Sequence, residues 1–156
     1  MPGGAYLPMM ARYNLWQNAS MTAAASTLTE AERKADRGAF FGSIHRTFSH
    51  LYWADQAWLA HFSGTAPPGG GIEDSLDLID DWAGFCAARL ALDRRILEWA
   101  DGADFDARRK LNPAFVIQFF NHQTHHRGQI HAMLTAAGVP TEDTDVHKMP
   151  KPYLDL

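Results

Sequence analysis

The sequence predicts an all-α protein folded as a four-helix bundle, and three features indicate this class. Apolar residues recur every three or four positions through four segments of about 20 residues or more, as in helices that pack on a shared core. The sequence lacks the alternation of apolar and polar residues that is typical of half-buried strands. Glycine and proline separate the four segments, which marks them as distinct helices of one domain, 1–156.

The helical periodicity and the stop signals give the expected order of elements. Thr29 and Glu32 have capping-box spacing, which predicts a short connector helix over 29–37. A polar, solvated turn is expected at 101–111, and the proline-rich tail, 141–156, is expected to be extended. The long helices are predicted at about 6–26, 39–62, 75–100 and 112–138.

Composition and charge exclude several classes of function. The formal net charge is −4 and the basic residues are scattered, so the chain lacks the basic surface that binds nucleic acid. The single cysteine, Cys86, excludes a disulfide framework and a cysteine-based zinc site, and is typical of a reducing compartment. The sequence shows no signal peptide and no run of about 18 apolar residues, so we expect no membrane segment and a cytoplasmic location.

The last predicted helix carries two histidines, His122 and His126, on its apolar face. They are four residues apart, so both side chains project from one side of the helix, a spacing used by paired metal ligands. Unpaired ring nitrogens in a core would cost about 1–3 kcal/mol each, and a bound cation would remove that cost. Core histidines bonded to hydroxyls, carboxylates or backbone are the alternative. The apolar stripe is predicted to contain Phe115, Phe119, His122, His126, Ile130, Met133 and Ala137.

The second predicted helix offers three further histidines, His45, His50 and His61. Metal sites in helical bundles use side chains from facing helices, so one of the three could complete the site, but their spacing does not select one. Asp55 falls inside the apolar stripe of the same helix, which also includes Phe40, and a buried carboxylate needs a partner. In the first helix Asn14 and Asn18 recur one turn apart; we favour a solvated edge over a polar role in the interior of the bundle.

Three sequence motifs resemble the DinB damage-inducible family over about residues 10–140. The motifs are YNLWQN at 13–18, FGSIHRTFSHL at 41–51 and NHQTHHRGQ at 121–129, and they lie in order on three of the predicted helices. The resemblance implies a four-helix bundle of the DinB/YfiT-like type, often homodimeric. It also implies one divalent metal held by three histidines, at the positions of His50, His122 and His126.

The implied site points to metal-dependent chemistry on a small-molecule substrate. Three imidazoles leave a divalent ion an open position and suit zinc, nickel, iron and copper alike. Characterised relatives of this fold include thiol-dependent transferases and isomerases that use a low-molecular-weight thiol as cosubstrate, and the family has also been described as hydrolases. The alternative is a non-catalytic metal-binding or stress-response protein whose site is structural or regulatory.

Three more residues are candidates for roles around the metal. A zinc protease would have glutamate at the position of Gln123, so that class is excluded. Asp55 could orient a ligand imidazole or act on bound water, and we favour the first role. Arg127 and Gln129 could bind substrate or pair with Asp55, and we favour the pairing.

Overall fold

The computed structural model describes residues 5–102 and 110–156, and this part of the chain contains helices but no strand. The predicted all-α class is therefore confirmed for the described residues. Most of the turn predicted at 101–111 lies outside them, and the C-terminal tail includes a short helix in addition to extended chain. The helices are α1 (Tyr6–Ala25), α2 (Glu30–Lys34), α3 (Ile44–Ser63), α4 (Trp82–Gly102), α5 (Pro113–Ala136) and α6 (Lys151–Leu154).

The four long helices pack around a common core. Helix α1 contacts α4 and α5, while α3 contacts the same two helices from the other side, so the four form a closed ring. The short elements lie outside this ring, with α2 against α3 and α6 against α1. A 3-10 turn at Glu73–Asp77 also packs against α3.

Helix α3 begins five residues later than the sequence predicts, at Ile44 instead of position 39. Gly42 has a φ of 79°, a left-handed conformation that ends the preceding turn, and the Ser43 hydroxyl then caps the helix by accepting from the Arg46 amide at 3.1 Å. Phe40 therefore does not join the apolar stripe; it is 81% exposed, whereas Phe41 is buried.

Helix α4 also begins later than predicted, at Trp82 instead of position 75, because a side chain of α3 forms hydrogen bonds with the backbone of the segment that precedes α4. The Ser49 hydroxyl donates to the Ser75 carbonyl at 2.6 Å and accepts from the Leu78 amide at 3.1 Å. These bonds satisfy backbone groups outside a regular helix. As a result, Ser75 packs against α3 and lies directly beside His50.

A layer of buried polar side chains crosses the middle of the helical core and separates two apolar clusters. One cluster includes Phe48, Phe85 and Ile130, and the other includes Leu59 and Phe119. Every long helix contributes to the layer between them, and all its members are at most 2% exposed. This polar layer consists of Asn14, Asn18, Asp55, Arg89, Asp93, Gln123 and Arg127.

Arg89 is the centre of the polar layer. Its Nη1 donates to Asp55 at 2.8 Å, and its Nη2 and Nε donate to the two carboxylate oxygens of Asp93 at 2.7 and 3.2 Å. Asn14 and Asn18 each donate to Asp93 at 2.9 Å, so the interpretation of these asparagines as a solvated edge is wrong. Two carboxylates and two guanidinium groups balance in charge across the layer, which reduces the cost of burying them.

Asp93 should make the stability of the protein depend on pH. Burial raises the pKa of Asp93 to about 6, against the pull of the Arg89 charge, from an ordinary value of 3.8. The folded chain then holds this proton more tightly than the unfolded chain, so the stabilising effect of protonation is present near pH 4 and is lost as the pH rises to about 6. We expect the free energy of unfolding of the wild type, relative to Asp93→Asn, to decrease over that range in urea titrations.

The comparison with Asp93→Asn removes the other titrating groups from this test. His50 and His126 titrate in the same range with the opposite sign, because burial lowers the pKa of each, but they are present in both proteins. If the difference in free energy of unfolding between the wild type and Asp93→Asn were constant, or increased from pH 4 to 6, burial would not destabilise the ionised carboxylate of Asp93.

Candidate metal centre

Three histidines from two facing helices converge at the level of the polar layer. His122 and His126 lie one turn apart on α5, and His50 lies opposite them on α3. One ring nitrogen from each of the three lies within 4.8 Å of the others. The ring centroids are 4.4 Å apart for His122 and His126, 4.9 Å for His50 and His126, and 5.5 Å for His50 and His122.

Ser75 fixes the tautomer of His50. The Ser75 hydroxyl donates its proton to the Ile72 carbonyl at 2.5 Å, so its oxygen must accept at 3.0 Å from the Nδ1 of His50. His50 therefore carries its proton on Nδ1, and its Nε2 keeps a free lone pair. A neutral imidazole held in this way is suited to bind a metal, because metal-bound histidines usually donate a hydrogen bond from the other ring nitrogen.

Gln129 plays the same part for His126. Its Oε1 accepts from Nδ1 of His126 at 2.8 Å, which leaves Nε2 of His126 3.1 Å from Nε2 of His122. Two imidazole nitrogens bound to one ion at about 2.0–2.1 Å would be about 3 Å apart. The buried Nδ1 of His122 has no hydrogen-bond partner among the described residues, so these three rings are not a fully satisfied polar cluster. The three ring nitrogens, one from each histidine, therefore fit the ligand set of a divalent ion.

The surroundings keep these imidazoles neutral. Burial, together with smaller effects of the neighbouring His126 and His122, lowers the pKa of His50 to about 4. Burial likewise lowers the pKa of His126 to about 4, although the bond to Gln129 opposes the shift. Phe41 contributes to the apolar cover, since its ring centroid lies 4.2 Å from that of His50 and 5.5 Å from that of His126. Neutral imidazoles are the form that binds metals.

A cleft of about 1310 Å³ opens over the three histidines, and we call it the histidine cleft. Its walls come from four parts of the chain: the segment before α3, helix α3, helix α5, and the 3-10 turn at Glu73–Asp77 with the residue before it. Aromatic side chains form much of the wall, namely Phe40, Phe41, Trp53 and Trp58. The site thus combines convergent nitrogen donors with open access.

The other predicted site residues lie at different distances from this centre. Gln129 lines the histidine cleft and bonds to His126, not to Asp55. Asp55 lies in the polar layer, where its carboxylate accepts from Arg89 and, at 3.1 Å, from Gln123, the residue after His122. Arg127 donates to Asn14 in the same layer and lines a separate cavity of about 280 Å³.

The remaining candidate histidines of α3 stay outside the site. His45 is buried against Trp82 and Phe85, and His61 is exposed beside Phe115. Ser75 and Phe41 also position the imidazoles, and the sequence alone did not predict this role for either residue. Only the spatial neighbourhood reveals Ser75, because it depends on the late start of α4.

The buried face of α5 also differs from the predicted stripe. Phe115 is 41% exposed, whereas Gln123 and Arg127 are buried, so the buried face is rotated away from Phe115 and towards the polar layer. His122 consequently lies at the edge of the buried face and is half-buried, while His126 lies inside it. This position lets His122 face both the core and the histidine cleft.

The fold and the site define a helical protein with a candidate three-histidine metal centre. The model of the DinB family matches residues 1–153, and the chain belongs to this family. No curated protein and no solved structure matches the chain. In the described part of the chain, none of the helices has the length and apolar character needed to cross a membrane.

Proposed function

We propose that the protein is a metal-dependent enzyme that binds one divalent transition metal, zinc, nickel or iron, through His50, His122 and His126. The observation that carries the proposal is the convergence of three neutral imidazoles at the floor of an open cleft. A purely structural metal site is closed by four protein ligands, whereas a catalytic site keeps a position free for water or substrate.

The residues around the site have separable roles in this proposal. When bound, a divalent ion with an open position supplies a Lewis acid and lowers the pKa of a coordinated water or thiol. Ser75 and Gln129 hold two of the imidazoles in the ligating tautomer. Asp55 acts from the polar layer, where its bond to Gln123 fixes the turn of α5 that carries His122.

The proposal is tested by the metal content of protein purified without a histidine tag or added metal. We expect about one ion per chain in the wild type and essentially none in His126→Ala, because the two imidazoles that remain, those of His50 and His122, are too few to hold a divalent ion tightly. His61→Ala, which removes an exposed histidine of α3, is the matched control and should keep its ion. Equal metal content in all three proteins would refute the ligand assignment.

Ser75 should tune the affinity for the metal without contacting it. Ser75→Ala removes the acceptor for Nδ1 of His50, and loss of such a bond typically lowers metal affinity 10–100-fold. Competition with a chelator of known affinity measures the change. Ser63→Ala, in which a serine at the exposed end of α3 is replaced, is the control and should bind as the wild type does.

Family relationship supplies the rest of the proposal, which includes a low-molecular-weight thiol as a cosubstrate, a homodimer, a cytoplasmic location and a role in stress response. A cobalt-loaded protein would report a thiol through charge-transfer absorption when glutathione, bacillithiol or mycothiol is added. An unchanged spectrum with all three would favour hydrolysis over thiol transfer. Light scattering of the purified protein tests the homodimer.

A further inference from the structure

The histidine cleft is much larger than a metal ion and its water require. Its volume of about 1310 Å³ exceeds the roughly 300–1,000 Å³ of ordinary small-molecule sites. The cleft can therefore receive an organic molecule whose body lies beyond the three histidines, and its walls indicate the chemistry of that body.

The walls of the histidine cleft are mainly apolar and include unusually exposed side chains. Phe40 is 81% exposed and Ile72 is 54% exposed. Trp53 uses its indole N–H to bond the Gly69 carbonyl at 3.0 Å, so the rest of its ring faces the cleft as apolar surface. Large exposed apolar side chains that cluster at a concave site usually mark a binding surface, whereas single exposed apolar residues are ordinary.

The charges at the cleft are unfavourable for an anionic ligand. Among the described residues that line the cleft, Arg46 is the only arginine or lysine. Its guanidinium already pairs with the Asp77 carboxylate at 3.0 Å. Two carboxylates, those of Asp36 and Glu73, lie at the exposed margin. A ligand carrying several carboxylates or phosphates would meet these like charges and find no unpaired guanidinium or ammonium group there.

We propose that the histidine cleft binds an uncharged compound with an aromatic or bulky apolar body. Its polar end lies at the three histidines and its body lies against Phe40, Trp53 and Trp58. The placement of the polar end rests on the proposed metal function, whereas the binding of the apolar body does not. Anionic peptide thiols such as glutathione are thereby disfavoured as the principal occupant.

A series of hydroxamic acids tests the proposal on the zinc-loaded protein, because their common chelating group is constant while the body changes. We expect affinity by calorimetry to increase about tenfold from acetohydroxamic to benzohydroxamic acid, and again to 2-naphthohydroxamic acid, as more apolar surface is buried. 4-Carboxybenzohydroxamic acid should bind at least about tenfold more weakly than benzohydroxamic acid. The proposal would be overturned if the three uncharged bodies bound with equal affinity or if 4-carboxybenzohydroxamic acid bound more tightly than benzohydroxamic acid. Displacement of the naphthyl compound by equimolar glutathione would also overturn it.

Two exposed residues allow the walls to be tested without threatening the fold. Phe40→Ala should weaken the naphthyl compound about tenfold and leave acetohydroxamic acid unchanged, whereas Leu154→Ala, another exposed apolar residue, should change neither. Glu73→Lys should strengthen binding of 4-carboxybenzohydroxamic acid, and Glu98→Lys on the exposed face of α4 should not. Equal effects of the cleft and control variants would contradict the assignment.

A probe that does not bind metal separates this proposal from the metal function. Neutral 2-naphthol should quench tryptophan fluorescence of metal-free His126→Ala protein, and Phe40→Ala in the same background should weaken that binding several-fold. If naphthol binds but the wild type takes up no metal, the apolar cleft is supported and only the metal site is refuted. Stoichiometric metal without naphthol binding would refute the apolar body and leave the metal site intact.

Discussion

Replacement of Arg89 by methionine should lower the free energy of unfolding by about 3–5 kcal/mol, the usual cost of removing one partner from a buried ion pair. Arg89 is 1% exposed and bonds to both Asp55 and Asp93. Its removal leaves two carboxylates in the core with only the charge of Arg127, so at least one of them must keep an uncompensated charge or bind a proton. Urea denaturation at pH 7, with an unchanged dependence on denaturant, measures the loss.

Two further variants distinguish charge from packing in this experiment. Arg94→Met removes an exposed arginine of the same helix and should change stability by less than about 0.5 kcal/mol. Adding Asp55→Asn and Asp93→Asn to Arg89→Met removes the unpaired charges and should restore part of the loss. A loss below about 1 kcal/mol for Arg89→Met alone would show that water or neighbouring amides already satisfy the two carboxylates.

The polar layer also explains why hydrophobic periodicity predicted the helices better than it predicted their buried faces. Periodicity identifies a core by its apolar residues, but Asn14, Asn18 and Gln123 are fully buried because they bond to carboxylates of other helices. Their partners are far away in the sequence, so each residue alone resembles a solvated one. Asp55 was recognisable because a carboxylate inside an apolar stripe requires a partner.

The candidate metal centre could be predicted in part for similar reasons. The pair on α5 follows from a four-residue spacing, which is local information. His50 was indicated only by the family motif, since its place opposite α5 depends on how two helices pack. Ser75 could not be predicted, because it reaches His50 only when Ser49 interrupts the segment before α4.

The polar layer and the histidines share one level of the fold, and this suggests how the site is positioned. On α3, the residue after His50 is Leu51, which is buried in the apolar core. On α5, the residue after His122 is Gln123, which is buried in the polar layer. The bond from Gln123 to Asp55 therefore joins the two helices that carry the three histidines, at a position next to His122 and five residues from His50. A sliding of α3 against α5 would break this bond and separate the imidazoles.

Metal binding should stabilise the folded protein strongly, and each histidine variant should lose that effect. Zinc at 100 times its dissociation constant should increase the free energy of unfolding by about 2.7 kcal/mol, because the ligands come from two helices that only the folded chain brings together. His50→Ala and His122→Ala should show little increase under the same conditions. Thermal unfolding with and without zinc, or with a chelator, measures the difference.

The variants must be compared with their own metal-free forms, because removal of a half-buried ring also changes packing. His61→Ala should keep the full zinc effect, whereas Ser75→Ala, with its weakened affinity, should need 10–100 times more zinc to reach it. This graded order distinguishes a site at the three histidines from zinc bound loosely at exposed imidazoles. If His122→Ala were stabilised as much as the wild type, the ion would bind elsewhere and the cleft would lack its metal.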